Sequence, residues 1–394
     1  MQGAQSLIGA GEDETPRDMP ERVAIIGAGY EGFRPLVSDL STRELMFEAA
    51  SRAYDDASVD PRRDVGSFIC CTEDLWEGWS ITDEMVPDQI GAAGRPLCTI
   101  PADAITGIGN AAMHVLAGVA DVVVLEAHSK AADALSKKQI EDLGQEPTLM
   151  RPLGVDTDTL AALEMDGFLK STGYKVEEVD EIVVLSKRRA MHNPRASFGA
   201  SLSKDEVAHA SAGSSPLRKF DRAPFAEAGI VLVLASERWA RKNRCDPVYL
   251  DAVAWSSSLP WFDGGGFSAA GYAKDSYSKA MRRAGKKKDL RAFDLLEVDD
   301  TFSYKALQHL HSIAGSKSET RRVIAGAGPV LNPSGGALGV GNLLEASAIH
   351  RLLECYLQLK GQAGPVQVKD ARTALVQSWR GIPTATGGVA LLSR

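Results

Sequence analysis

No run of apolar residues in this sequence reaches membrane-spanning length, which argues against a bilayer-embedded chain. Positive charge is not in excess either. The 44 Lys and Arg against 52 Asp and Glu leave a formal net charge of −8, the wrong sign for a protein whose main partner is nucleic acid. Cysteine is sparse: Cys70, Cys71, Cys98, Cys245 and Cys355 show neither metal-ligand spacing nor a dense disulfide pattern. They read as structural thiols of a reducing cytoplasm, with no metal site and no bound cofactor expected. The seven histidines are scattered, and the His309–His311 spacing places the two on different helical faces. The first twenty residues lack a signal-peptide pattern, and 1–21 reads as a polar tail.

What is present is an ordinary globular composition, 44% hydrophobic and 24% charged, in a chain long enough for two to three domain-sized units. "RVAIIGAGYEG" predicts a buried strand, Val23 to Ile26, closed by glycines in a tight turn. Gly27, Gly29 and Gly32 mimic a dinucleotide fingerprint, but Pro35 follows where a helix would have to open. Ser41 and Glu44 form a capping box for the first helix. Further on, "VGSFICC" predicts a strand, Gly107 to Ala117 a helix and "DVVVLEA" a strand. The strand–helix alternation breaks between 128 and 225 and returns at Ala228.

Two segments echo one another. "ITGIGNAAMHVLAG" precedes one apolar strand and "ALGVGNLLEASAIHRLL" another, each with a Gly-Asn pair expected to open a helix. Strands apolar on both faces belong to sheets covered on both sides. The pattern predicts a duplicated α/β unit with helices between two sheets. The expected organisation is a tail (1–21), a first half (22–127), an inserted loop domain (128–225) and a second half (226–394).

The stretches "FDLLEVDDTFSYKAL", "LNPSGGALGVGN", "YLQLKGQAGPVQVKDARTALVQSW" and "GIPTATGGVALL" resemble the thiolase superfamily, most closely its sterol-carrier-protein-x and lipid-transfer-protein branch. "AGVADVVVLEA" and "KRRAMHNPRASF" carry the same resemblance, which spans about 22–394. The resemblance implies a five-layered αβαβα fold with a loop domain, a dimer, and coenzyme A thioesters as ligands.

Thiolase chemistry needs a thiolate at a helix N-terminus, an acid/base, and donors for the enolate and oxyanion. At the nucleophile's place a gapless count puts Pro101, in a turn "TIPADAITG" without cysteine; Cys98 lies three residues upstream. The family's "H-D-C-F" or "N-E-A-F" reads Asp299-Asp300-Thr301-Phe302, where an ionised Asp299 would repel an enolate. The family's "G-H-P" histidine is replaced by Asn342, an amide that exchanges no proton near neutrality. Remaining candidates are Cys98, Asp299 and Tyr304 for catalysis, with Tyr272 as a further tyrosine. For substrate contact they are Ser334, Gly335, Gly336, Asn342 and Gly388. Arg188, Arg189, Lys286 and Lys287, with Lys137 and Lys138, are candidates for coenzyme A phosphates, and Trp76 and Trp79 for an interface or acyl-pocket wall.

Three readings follow from the resemblance. One is a thiolase-like subunit that lacks the nucleophile and shapes the pocket of a catalytic thiolase-like chain, with a small zinc-ribbon/OB-fold subunit as a further partner; a homodimer is the other possible assembly. The second is a retro-aldol acyl-CoA lyase using non-cysteine groups. The third is an active thiolase working through Cys98.

Overall fold

The computed structural model describes residues 22–73, 81–130, 144–258, 269–381 and 386–394. In chain order, the first part comprises β1 (Val23–Arg34), α1 (Thr42–Ala57), β2 (Ser67–Cys71), α2 (Thr82–Met85), β3 (Leu97–Ile100), α3 (Ala104–Leu116) and β4 (Val122–Ser129). Among the described residues three α-helices follow, α4 (Thr157–Thr172), α5 (Val176–Ala190) and α6 (Lys204–Ala208). Alternation resumes with β5 (Glu227–Ser236), α7 (Glu237–Lys242), β6 (Val248–Ser257), α8 (Gly271–Arg283) and β7 (Leu295–Glu297). The chain ends with α9 (Ser303–Ala314), α10 (Lys317–Ile324), β8 (Val330–Leu331), α11 (Gly336–Val340), α12 (Ala346–Lys360), β9 (Thr373–Arg380) and β10 (Thr386–Ser393).

The strands hydrogen-bond in the order β3-β2-β4-β5-β1-β6-β10-β9-β7-β8. Numbered within each half, both halves read third, second, fourth, fifth, first from their outer edge. The halves meet where Val23–Ile25 of β1 pairs antiparallel with Val248–Leu250 of β6. Ile69, Leu125 and Leu232 of one half share a core with Val376, Ala390 and Leu392 of the other, and α3 and α12 fill the space between. The opposite sheet faces pack on α1 in the first half and on α8 and α9 in the second. This is the duplicated five-layer arrangement, and α12 is buried on nearly every face because both sheets cover it.

Two expectations need correction. β1 does not stop at Gly27 but runs through the glycines to Arg34. A Cβ on Gly27 would lie 2.6 Å from Ala57 Cβ, and one on Gly29 2.1 Å from Ala49 O. The glycines let α1 lie against the strand; they do not turn it. The Gly109-Asn110 pair does not open α3, which begins at Ala104, capped by Asp103. Gly109 lies inside the helix, where a Cβ would meet the Trp255 ring at 2.3 Å.

Candidate functional site

The turn after β3 carries Pro101 exposed to solvent. The residue that meets the first N–H groups of α3 is Asp103, two positions on from the gapless count. Asp103 Oδ1 accepts from Ile105 N at 3.0 Å and Thr106 N at 3.2 Å. Its Oδ2 accepts from Ser378 Oγ of β9 at 2.7 Å, so this carboxyl ties one half of the molecule to the other. Protein surrounds the carboxyl closely, yet the residue as a whole keeps some solvent contact. Burial pushes its proton affinity above the usual carboxylate value and the charge of Asp299 adds to this, against the hydrogen bonds that favour the anion.

The first turn of α3 is wedged on both sides. Cys71 Sγ occupies the place of a Cβ on Gly107, 2.1 Å from it, and a Cβ on Gly388 would meet Ile105 Cγ2 at 2.3 Å. Gly388 is therefore used by the helix. Cys98 lies on β3 opposite Ile69 of β2, upstream of the helix. Burial, with a contribution from Asp83, holds its thiol above the usual value, the reverse of what an acyl-accepting thiolate needs.

Asp299 and Asp300 follow β7 and point to different partners, as alternation along a strand predicts. Asp299 Oδ1 accepts from Thr301 N at 2.9 Å, and Oδ2 lies 2.8 Å from Arg351 Nη2 of α12. That contact is an ion pair without hydrogen-bond alignment, leaving Oδ2 and Nη2 buried with no hydrogen bond. Asp300 accepts from Ala337 N at 2.5 Å and from Ser186 Oγ of α5 at 3.0 Å. Burial raises its proton affinity to about 6, although Arg351 pulls the other way. Lys187, one residue past Ser186, is pulled down to about 8 by burial, with Asp300 opposing.

The Asn332–Gly336 turn is wholly enclosed. Asn332, at φ 43°, accepts from Val298 N at 2.7 Å and donates to Val298 O at 2.9 Å. Ser334 donates to Glu297 through both its backbone N (3.0 Å) and its Oγ (2.8 Å). Gly335 and Gly336 have φ of 98° and 60°, conformations that favour glycine. A Cβ on the first would strike Ala190 of α5, and on the second the Asp300 carboxylate. Ser334, Gly335 and Gly336 thus approach other parts of the protein closely. Asn342 is half-buried; its N donates to Pro224 O at 2.7 Å, and its Oδ1 accepts from Leu344 N at 3.0 Å.

Tyr304 is fully buried and donates to Glu164 Oε2 of α4 at 2.5 Å. Tyr272 donates to His309 Nε2 at 2.8 Å, with His309 Nδ1 directed at Asp299 O at 3.1 Å. Burial holds His309 well below its usual range, hence neutral with its proton on Nδ1. The basic candidates are dispersed. Arg188 and Arg189 end α5, with Arg188 exposed; Lys286, beyond α8, pairs with Asp251 at 2.7 Å, and Lys287 is exposed. Arg188 lines a surface groove with Lys204 and Arg321, whose charges are met by Glu181 and Glu178. Lys137, Lys138, Trp76 and Trp79 lie outside the described residues.

Residues 267–394 match the family model described as thiolase C-terminal domain-like. An acetyl-CoA acetyltransferase of Methanothermobacter thermautotrophicus is 26% identical over 386 residues, covering 93% of this chain and 97% of that protein. Residues 267–394 are thus a thiolase C-terminal-like domain, and the chain has the thiolase fold. Bovine sterol carrier protein 2 is 24% identical across 90% of the chain and 69% of its own length. Among solved structures, the Ltp2-ChsH2(DUF35) aldolase superposes with a TM-score of 0.80 at 20% identity, covering 95% of this chain and 98% of that one. A monomeric SCP2-thiolase-like protein of Mycobacterium smegmatis gives 0.74 at 18% identity, over 95% and 77% of the two chains. On this thiolase fold the N-terminus of α3 is closed by a carboxyl, that of Asp103. Asp103 escaped the sequence reading although an aspartate just before "AITGI" is a helix-start signal.

Proposed function

We propose that this chain is a thiolase-like subunit of an acyl-CoA-processing complex and forms no acyl-enzyme of its own. The observation that carries this is at α3: Asp103 closes the helix N-terminus, both its oxygens engaged by Ile105 N, Thr106 N and Ser378 Oγ. A carboxyl so placed uses the N–H groups that would otherwise lower a thiol's pKa. The other degenerate positions are spent in the same way, Asp299 on Arg351 and Asn342 on its own turn. In the complex a related chain supplies the cysteine and histidine, and a small zinc-ribbon/OB-fold subunit is the third component.

The test has two arms. Wild-type chain incubated with acetyl-CoA is expected to show no acyl adduct by intact-mass analysis. Affinity purification from its native cell is expected to bring down a thiolase-like chain bearing both missing groups. A stable adduct on the chain alone would overturn the proposal. In Asp103→Cys, the introduced thiol is expected to react with iodoacetamide faster than Cys98 does at neutral pH, since it gains the helix N-terminus.

A second reading rests on the same carboxyl. Asp103 holds its proton more tightly than usual and keeps solvent contact, which suits a group that moves a proton. The Ltp2-ChsH2(DUF35) aldolase has the same fold. Retro-aldol release of an acyl-CoA by this chain with a small partner, abolished by Asp103→Asn, would favour this second reading over the first.

A further inference from the structure

The outer face of the first half-sheet holds a cluster that the thiolase reading does not use. Cys70 of β2 lies directly opposite Glu126 of β4 in the parallel ladder, and His128 is two residues further along the same face of β4. All three are buried, at 0%, 0% and 1% exposure. Cys70 Sγ is 2.8 Å from Glu126 Oε2, and His128 Nδ1 is 2.8 Å from Glu126 Oε1. One donor atom from each side chain lies within 4.8 Å of the other two. The face belongs to the layer under α1, opposite the face on which α3 packs. The Tyr54 hydroxyl of α1 is near enough that Glu126 adds to burial in raising its proton affinity.

We propose that Cys70, Glu126 and His128 bind a zinc ion. A carboxylate in such a dry place needs positive charge beside it, and among the described residues Glu126 is met only by the thiol and the imidazole. A thiolate, a carboxylate, a neutral imidazole and a divalent cation sum to zero charge. Binding would break the Cys70 S–H bond, release that proton to solvent and form a zinc–sulfur bond, with no change of oxidation state. A thiolate, an imidazole and a carboxylate together suit zinc and disfavour magnesium or calcium, which take oxygen ligands. Zinc bonds of about 2.0–2.3 Å place ligand atoms about 3.5 Å apart, so the two 2.8 Å contacts must open by less than an ångström. Three protein ligands leave the fourth tetrahedral position to a water molecule. Spacing along the chain hid this cluster, because two strands in register contribute it.

The experiment is metal analysis of the full-length recombinant chain, purified untagged after growth with added zinc. One zinc per chain is expected, together with a thiolate-to-cobalt charge-transfer band after exchange with cobalt. Cys70→Ala and His128→Gln, shown to be folded by circular dichroism, are expected to lose both signals, and Cys98→Ala to keep them. Folded wild-type chain that takes up no zinc and gives no such band after cobalt dialysis would overturn the proposal. So would zinc retained in full by folded Cys70→Ala.

Discussion

Glu297 and Glu354 belong to one buried polar cluster yet hold their protons oppositely. Burial, reinforced by the charge of Glu354, raises Glu297 to about 8, so it is protonated at neutral pH despite the two bonds from Ser334. Burial also pushes Glu354 up, but the paired contacts of Arg195 at 2.8 and 2.9 Å, with His350, outweigh this and hold it at about 2. A group whose folded value is raised, as for Glu297, stabilises fully below its ordinary value of 4.5, and that stability drains away as pH climbs to about 8. Glu297→Gln keeps the shape and removes the titration. Relative to wild type its unfolding free energy is therefore expected to improve by about 1 kcal/mol per pH unit between about pH 5 and 8. Urea denaturation across that range checks it; parallel curves would mean that Glu297 does not hold its proton as described. Such behaviour was not legible in "FDLLEVDD", because it depends on Ser334 and Glu354, 37 and 57 residues further along the chain. What the residues did show is that the turn before α3 holds no cysteine and position 342 no histidine.

At the scale of elements, hydrophobic pattern served best where an element makes its own case. The capping box of α1 is present in both directions, with Glu44 Oε2 accepting from Ser41 N at 2.8 Å. β4, β9 and β10 lie where their apolar runs predict. Pattern misled where tertiary contact decides, as in β1, whose glycines look like punctuation and are packing surface. The difference is measurable. A methyl group on Gly29 would stand 2.1 Å from Ala49 O and 2.2 Å from Ala53 N, both backbone atoms that cannot rotate away. Gly29→Ala is expected to cost about 3 kcal/mol, at the upper end of overpacking. Gly213→Ala, with open space around its Cβ, is expected to stay within about 0.5 kcal/mol of wild type. Chemical denaturation of the two variants makes the comparison; equal costs would show that α1 does not rest on this strand as closely as described.

At the scale of the molecule, the twin order of strands explains why α3 and α12 are enclosed, since each half supplies a sheet face to them. The helices between 144 and 225 stand outside this duplication, and their attachment to the second half rests partly on one buried cation. Lys305 of α9 is 1% exposed and lies 2.6 Å from Glu164 Oε2 of α4. Its other contacts are neutral: Tyr272 OH at 3.3 Å, Gln308 Oε1 at 3.1 Å and the Trp379 ring at 4.4 Å from the centroid. The Glu164 side chain keeps 17% of its exposure, so water reaches it from one side. The two ends of the pair are therefore unequal. Glu164→Gln strands a buried ammonium group among neutral partners and is expected to cost about 3 kcal/mol. Lys305→Met leaves a carboxylate that solvent can still reach, and its cost is expected to be about half as large. Because the two residues share one interaction, the double variant should be more stable than the sum of the singles predicts, by more than about 1 kcal/mol. Hydrogen exchange in α4 should rise most in Glu164→Gln, the variant in which the lysine has lost its anion. Additive losses, or unchanged exchange in α4, would place the attachment of this helix elsewhere, in the apolar packing of Met165 and Phe168 against the same core.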